Sequence, residues 1–159
     1  VPYSLTIESV LKRIKEGKSE DKVNLIRKGN KGIKTSLPCI MFAGEFNHRD
    51  GNGLVNHSGL MVTDFDKYPS VKVMNEHLEV LKKNKHFLTL FISPSGIGIK
   101  GVVKIPATDK LNHPKYFKEF HNTFNYDYFD TANSNVDRVC FESYDPNIYI
   151  NWDAEEFRI

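Results

Sequence analysis

Long apolar runs are missing from this sequence. The longest, such as Phe87 to Ile92, have strand length, far short of the ~20 residues that a membrane-crossing helix needs. Cysteine is scarce as well: Cys39 and Cys140 lie 101 positions apart with no C-x-x-C pattern. This argues against a disulfide framework or a zinc site and for free thiols in a reducing cytoplasm. Neither sign of charge dominates. With 22 basic against 20 acidic residues and a formal net charge of +2, no global field attracts a polyanion, so any nucleic-acid contact has to come from local clustering. The six histidines carry no H-x-x-x-H spacing, and no Ser-His-Asp or Cys-His arrangement can be argued. The Asp50-Gly-Asn-Gly loop lacks the alternating acids and closing Glu of a calcium loop. There is no internal repeat, no signal-peptide or transit character and no initiator Met before Val1, which leads us to expect a cytoplasmic fragment of a longer protein.

What is present is the composition of a folded domain: 159 residues, 40% hydrophobic and 12% aromatic, the opposite of a disordered chain. Residues 1–58 read as an N-terminal annex of helices, a basic stretch and a loop, packed on a core spanning 59–159. In the annex, Ile7, Val10, Leu11 and Ile14 recur at helical spacing, with Ser4 or Thr6 able to cap and Gly17 to terminate. A shorter helix follows Ser19 and stops at Gly29; next come Arg27, Lys28, Lys31 and Lys34 as a basic stretch, then an apolar run over Ile40 to Phe42.

From residue 59 the pattern is sharper. Strands are expected over Leu60–Asp66, Phe87–Ser93, Ile99–Ile105 and Arg138–Ser143, with helices after Pro69-Ser70 and from Pro114. The order β-α-β-β-α-β is the ferredoxin-like or RNA-recognition-type unit, an α+β fold. In it the sheet runs 4-1-3-2, helices cover one face and the other stays open to ligands. Period-two alternation places Asp64 and Asp66 on one face of their strand; if that is the open face, and Lys100 from the third strand and Arg138 from the fourth share it, the two carboxylates are flanked by a lysine and an arginine. That is a plausible seat for a metal-bound triphosphate.

Two aspartates at a strand end repel unless a cation or a basic side chain separates them. Hard oxygen donors of this kind suit magnesium or manganese, which nucleotidyl transfer uses in pairs; the plainer alternative is the start of a surface turn at Lys67-Tyr68-Pro69. The run Ser93-Pro-Ser-Gly-Ile-Gly-Ile-Lys100-Gly101 contains a literal G-x-G-x-x-G at Gly96, Gly98 and Gly101. It is no dinucleotide fingerprint, because it leads into a strand instead of opening a helix. It reads as a small-residue hairpin whose backbone and hydroxyls approach phosphates closely, or as an ordinary turn. Asp130, Asp137, Arg138 and Asp145 crowd the fourth strand: one acid is a candidate to complete a metal site and Arg138 to grip phosphate, whereas Asp137 and Asp145 read as solvated loop charges.

Taken together these motifs resemble the VirE N-terminal-type domain of the archaeo-eukaryotic primase (primase-polymerase) superfamily, found on bacterial mobile elements and phages. The resemblance covers most of the chain: Leu37-Pro38, Phe42-Ala-Gly44, Ser58-Gly59-Leu60 into Asp64-Phe-Asp66, the hairpin through Lys100, Arg138-Val-Cys-Phe-Glu-Ser-Tyr-Asp-Pro146 and Tyr149-Ile-Asn151. It implies that Asp64 and Asp66 bind catalytic metals. It implies that Ser95, Gly96 and Gly98 belong to the nucleotide motif, with Lys100 standing where a histidine is usual. Asp130 best matches the third acid, eight positions before Arg138, with Asp137 the competing choice.

The expected function is therefore DNA primase or primase-polymerase chemistry. Asp64, Asp66 and Asp130 hold two Mg2+ or Mn2+ ions; Lys100, Arg138, Ser93, Ser95 and the hairpin hold an NTP or dNTP; Arg27, Lys28, Lys31 and Lys34 track single-stranded DNA. A helicase-type domain is expected in the parent protein, and no membrane partner. The alternatives are a degenerate primase-like domain that only binds nucleic acid, and a two-metal nuclease.

Overall fold

The computed structural model describes residues 3–159, so Val1 lies outside the described residues. α1 (Ile7–Glu16) forms as the spacing predicts: Val10, Leu11 and Ile14 are buried, Thr6 accepts the Ser9 N–H, and Gly17 ends the helix at φ 82°. α2 (Glu20–Arg27) and a 3-10 segment (Lys31–Ser36) follow. Three short strands come next: β1 (Cys39–Ile40), then β2 (Gly44–Phe46) and β3 (Leu54–His57), which form an antiparallel hairpin. The core comprises β4 (Leu60–Phe65), α3 (Val71–Leu81), β5 (Phe87–Ile92), β6 (Ile99–Lys104) and α4 (His113–Phe124). Two-residue strands β7 (Cys140–Phe141) and β8 (Tyr149–Ile150) complete the chain.

The fold is α+β, and its first three core strands lie in the expected order, β4-β6-β5, all antiparallel. One face of this sheet packs on the two core helices: Met61, Phe65, Ile99 and Val103 meet Met74 and Leu81 of α3 and Phe117 and Phe120 of α4. Gly101 lets the layers close, since a Cβ there would stand 2.6 Å from the Phe87 ring and 2.8 Å from Thr63 Oγ1. Among the described residues no helix is long and apolar enough to cross a membrane.

Two expectations are corrected. Arg138–Ser143 does not run beside the first core strand to give the order 4-1-3-2. β7 pairs instead with β1, placing Cys39 opposite Phe141 and Ile40 opposite Cys140, while β8 adds to the far edge of the sheet beside β5. The physical reason lies in the anchors of this segment. Buried Glu142 is drawn to Arg13 of α1, and Ser143 Oγ donates to Ile92 O at 2.6 Å while Asp145 accepts the Ile92 N–H at 2.9 Å. These bonds carry the chain across the sheet and not along β4. The outer edge of β4 is met by residues 128–130, through an isolated bridge Phe65–Phe129, Asp66 N–H to Tyr128 O at 3.0 Å and Asp130 N–H to Asp64 O at 2.9 Å.

The second correction concerns the face expected to stay open. It carries Val62, Phe91 and Val102, which are too apolar to leave wet, and α1 covers them with Val10, Leu11 and Ile14, helped by Phe42 and Cys140. The ends of this face stay partly open: Asp64 and Lys100 at one, Leu60 and Lys104 at the other are half-buried.

Candidate functional site

That end of the sheet is built from three pieces of chain. Asp64 stands opposite Lys100 in the β4–β6 register, so their side chains leave the same face. Lys100 Nζ lies 2.9 Å from Asp64 Oδ1, yet out of line for a hydrogen bond, and Oδ1 is buried without a hydrogen-bond donor. The other oxygen, Oδ2, accepts a hydrogen bond from Arg138 Nη2. The same guanidinium reaches to 3.9 Å from Asp130 Oδ2 and donates through Nη1 to Ala132 O at 3.1 Å and Asn133 O at 2.9 Å. Asp130 is fastened in turn, by its N–H to Asp64 O and by the Ala132 N–H to its Oδ1.

Of the acids singled out in the sequence, Asp64 and Asp130 are thus brought together through Arg138. Asp66 sits one residue beyond β4, half-buried, tied by its backbone to Tyr128. Asp137 is half-buried and makes no ion pair among the described residues. Asp145 departs from the expectation of a solvated charge: it is buried, and its carboxylate accepts the backbone N–H groups of Ile92 and Asn147, each at 2.9 Å.

The hairpin closes beside these acids. Gly96 N–H donates to Ser93 O and Ser93 N–H to Gly98 O, both at 2.9 Å, a tight turn with Pro94 inside it. A Cβ at Gly98 would lie 3.1 Å from Phe65 O and from Ser93 Oγ, so the turn is pressed against the last residue of β4. Ser93 and Ser95 bond each other through their hydroxyls at 2.9 Å.

The basic stretch divides. Arg27 is not a free surface cation as expected: Nη2 donates to Ser93 O at 3.1 Å and Tyr144 O at 2.9 Å, and burial lowers its pKa. It braces the hairpin from below, touching Gly96, because α2 packs here and the two carbonyls need a donor. Lys28, Lys31 and Lys34 are exposed, the last with Nζ 5.6 Å from the centre of the Phe141 ring.

Sequence reasoning missed an aromatic group on the flank of the acids. The Tyr68 and Tyr128 rings are 4.5 Å apart, and Tyr68 Oη pairs with His77 Nδ1 at 2.6 Å. Burial raises the Tyr68 phenol and lowers His77. Lys67 (φ 59°) and Tyr128 (φ 62°) both hold left-handed backbone here, uncommon for such residues. No spacing in the sequence marks Tyr128, since a loop supplies it. A separate concavity of about 600 Å³ lies between α1 and β1–β3, lined by residues such as Arg13, Cys39, Phe42 and His57. The site acids do not line it.

A divalent ion fits one arrangement of these residues and not another. Among the described residues no three His, Cys, Asp or Glu side chains converge as a ligand cage. Asp64 and Asp130 could supply one or two oxygens to an ion whose other positions are filled by water and phosphate, and the Asp64 oxygen it would use is the one that Lys100 now faces.

No curated protein matches the chain, and no solved structure does. A family model for the BT4734-like N-terminal domain matches residues 32–150, a span that runs from the basic stretch through the acids, the hairpin and Arg138 to β8. By that match over well more than half its length, the chain belongs to the BT4734-like N-terminal domain family.

Proposed function

We propose that this domain carries out primase or primase-polymerase chemistry, the template-directed joining of nucleotides on single-stranded DNA in replication of a mobile element. The observation that carries the reading is the convergence of Asp64, Asp130, Lys100 and Arg138 with the Ser93–Gly98 turn at one solvent-reaching end of the sheet. The resemblance of the D-x-D and hairpin motifs supports it.

In this reading Arg138 holds the two acids at a fixed separation, bonded as it is to Asp64 and to two backbone carbonyls. Lys100 supplies a point charge for phosphate, and the Ser95 hydroxyl with the turn backbone lines the triphosphate. Magnesium or manganese bound by Asp64, with Asp66 and Asp130 as further oxygen donors, would neutralise charge during phosphoryl transfer. Exposed Lys28, Lys31 and Lys34 are the candidate track for the template, and a helicase-type domain in the parent protein would feed it.

One observation favours a second reading. Asp64 already has two cationic partners, as in a domain that keeps the fold and binds nucleic acid without catalysis. Incorporation of labelled nucleotide on single-stranded DNA, with magnesium or manganese, separates the two. Primase chemistry requires product from the wild type and a loss of at least ~100-fold in Asp64→Ala. Folded wild type that binds DNA as well as Asp64→Ala does, and makes no product, would establish the second reading.

A further inference from the structure

The two cations on Asp64 are not equivalent. Arg138 is fixed: its side chain is 9% exposed, and it donates to Ala132 O, Asn133 O and Asp64 Oδ2 while lying 3.9 Å from Asp130. Lys100 is held by far less. Its side chain is 21% exposed, and the ion pair to Asp64 Oδ1 at 2.9 Å is its one polar contact among the described residues. That contact is out of line for a hydrogen bond and leaves Oδ1 buried and otherwise unpartnered. A lysine ammonium is a compact charge on a flexible stem, suited to exchanging one anion for another, whereas a guanidinium bonded on several sides is not.

With Lys100 and Arg138 offsetting the charges of Asp64 and Asp130, little attraction remains for a divalent cation, which would meet Lys100 at the Asp64 oxygen it needs. A polyphosphate changes that balance, because it offers the ammonium several negative oxygens next to the Ser93–Gly98 turn. We propose that Lys100 is an exchangeable counter-ion. It caps Asp64 Oδ1 until a nucleoside triphosphate arrives, then moves to the phosphates and uncovers that oxygen for the divalent ion. The proposal rests on the nucleotide-handling reading above and adds an order to it, polyphosphate before metal. The coupling is reciprocal: each ligand strengthens the other through the same lysine. Arg138 is a positioning residue in this scheme, and Lys100 is the residue that moves.

The test uses one substitution with two opposite consequences. Mn2+ binding is followed by the electron paramagnetic resonance of the free ion, with no nucleotide present. Inorganic tripolyphosphate binding is followed by calorimetry in EDTA. Lys100→Met is expected to bind Mn2+ at least ~10-fold more tightly than wild type and tripolyphosphate at least ~10-fold more weakly, with Asp64→Asn abolishing the Mn2+ gain. Lys100→Gln repeats the measurement should the methionine variant lose its cooperative unfolding. Unchanged Mn2+ affinity in a folded variant, with tripolyphosphate still bound by wild type, overturns the counter-ion and leaves the nucleotide reading standing. Folded wild type and folded variant that both bind neither probe overturn the nucleotide reading, and the counter-ion falls with it.

Discussion

At the scale of single residues, the paired histidines His57 and His113 hold structure, and one of them reports pH. Gly59 N–H donates to His57 Nδ1 at 2.9 Å, so the proton of neutral His57 sits on Nε2, which faces His113 Nδ1 at 2.9 Å. Burial and the neighbouring His57 lower the His113 pKa to about 4 from the ordinary 6.5. Between those values the unfolded chain binds the proton that the folded one refuses. Stability contributed by neutral His113 is therefore complete above pH 6.5 and is lost as pH falls toward 4. The shift corresponds to about 3 kcal/mol. Urea midpoints should fall steadily from pH 7 to pH 4.5, and His113→Asn should start lower but show a flatter pH profile. The cysteines make a second residue-scale pair. Cys39 is exposed, whereas Cys140 is buried against the sheet and its thiol is pushed up to about 12. A thiol reagent should modify one cysteine of the native protein quickly and the second only in denaturant.

At the scale of elements, what depends on neighbours in sequence was legible. Apolar spacing located α1, α3 and α4, and the runs Phe87–Ile92 and Ile99–Lys104 flank a turn rich in glycine. Partners distant in sequence were not legible. Alternation marks Arg138–Ser143 as extended, yet nothing local says that Glu142 will be buried with Arg13 Nε at 2.7 Å, Nη2 at 3.0 Å and the Ser19 hydroxyl at 2.6 Å. Ser19, placed before α2 as a cap would be, gives its hydroxyl to Glu142 and makes no side-chain cap. This buried group ties α1, the start of α2 and the segment around β7 together. Glu142→Ala removes the acceptor of the Arg13 and Ser19 hydrogen bonds but leaves the 31% exposed Arg13 within reach of water, so it should cost about 1–3 kcal/mol in chemical unfolding. Gly101→Ala should cost about 1–3 kcal/mol by the same measurement, since its methyl would enter the space of the Phe87 ring.

At the scale of the whole molecule, the annex of residues 1–58 and the core of 59–159 share an interior. Val10, Leu11, Ile14 and Phe42 from the annex share one buried cluster with Val62, Phe91, Val102 and Cys140 from the core. A chain truncated to 59–159 would expose that apolar face. It should bind a hydrophobic dye strongly and unfold without a sharp transition, where the full chain unfolds cooperatively. The candidate site depends on the same packing. With α1 covering the middle of the face, the end bearing Asp64 and Lys100 stays partly accessible, and Arg27 from α2 supports the turn that borders it.

By itself the sequence determined the α+β class, the helices and three central strands. Those follow from periodicity and from antiparallel pairing across a tight turn, interactions between residues close along the chain. The tertiary structure alone decided which edge the last strands would take, which face of the sheet would be covered, and that Arg138 would clamp Asp64 to Asp130 while Arg27 turned inward. Each of those outcomes pairs residues dozens of positions apart. Each was settled by the need to bury an apolar face and to match every buried charge with a partner, a need that no short stretch of sequence expresses.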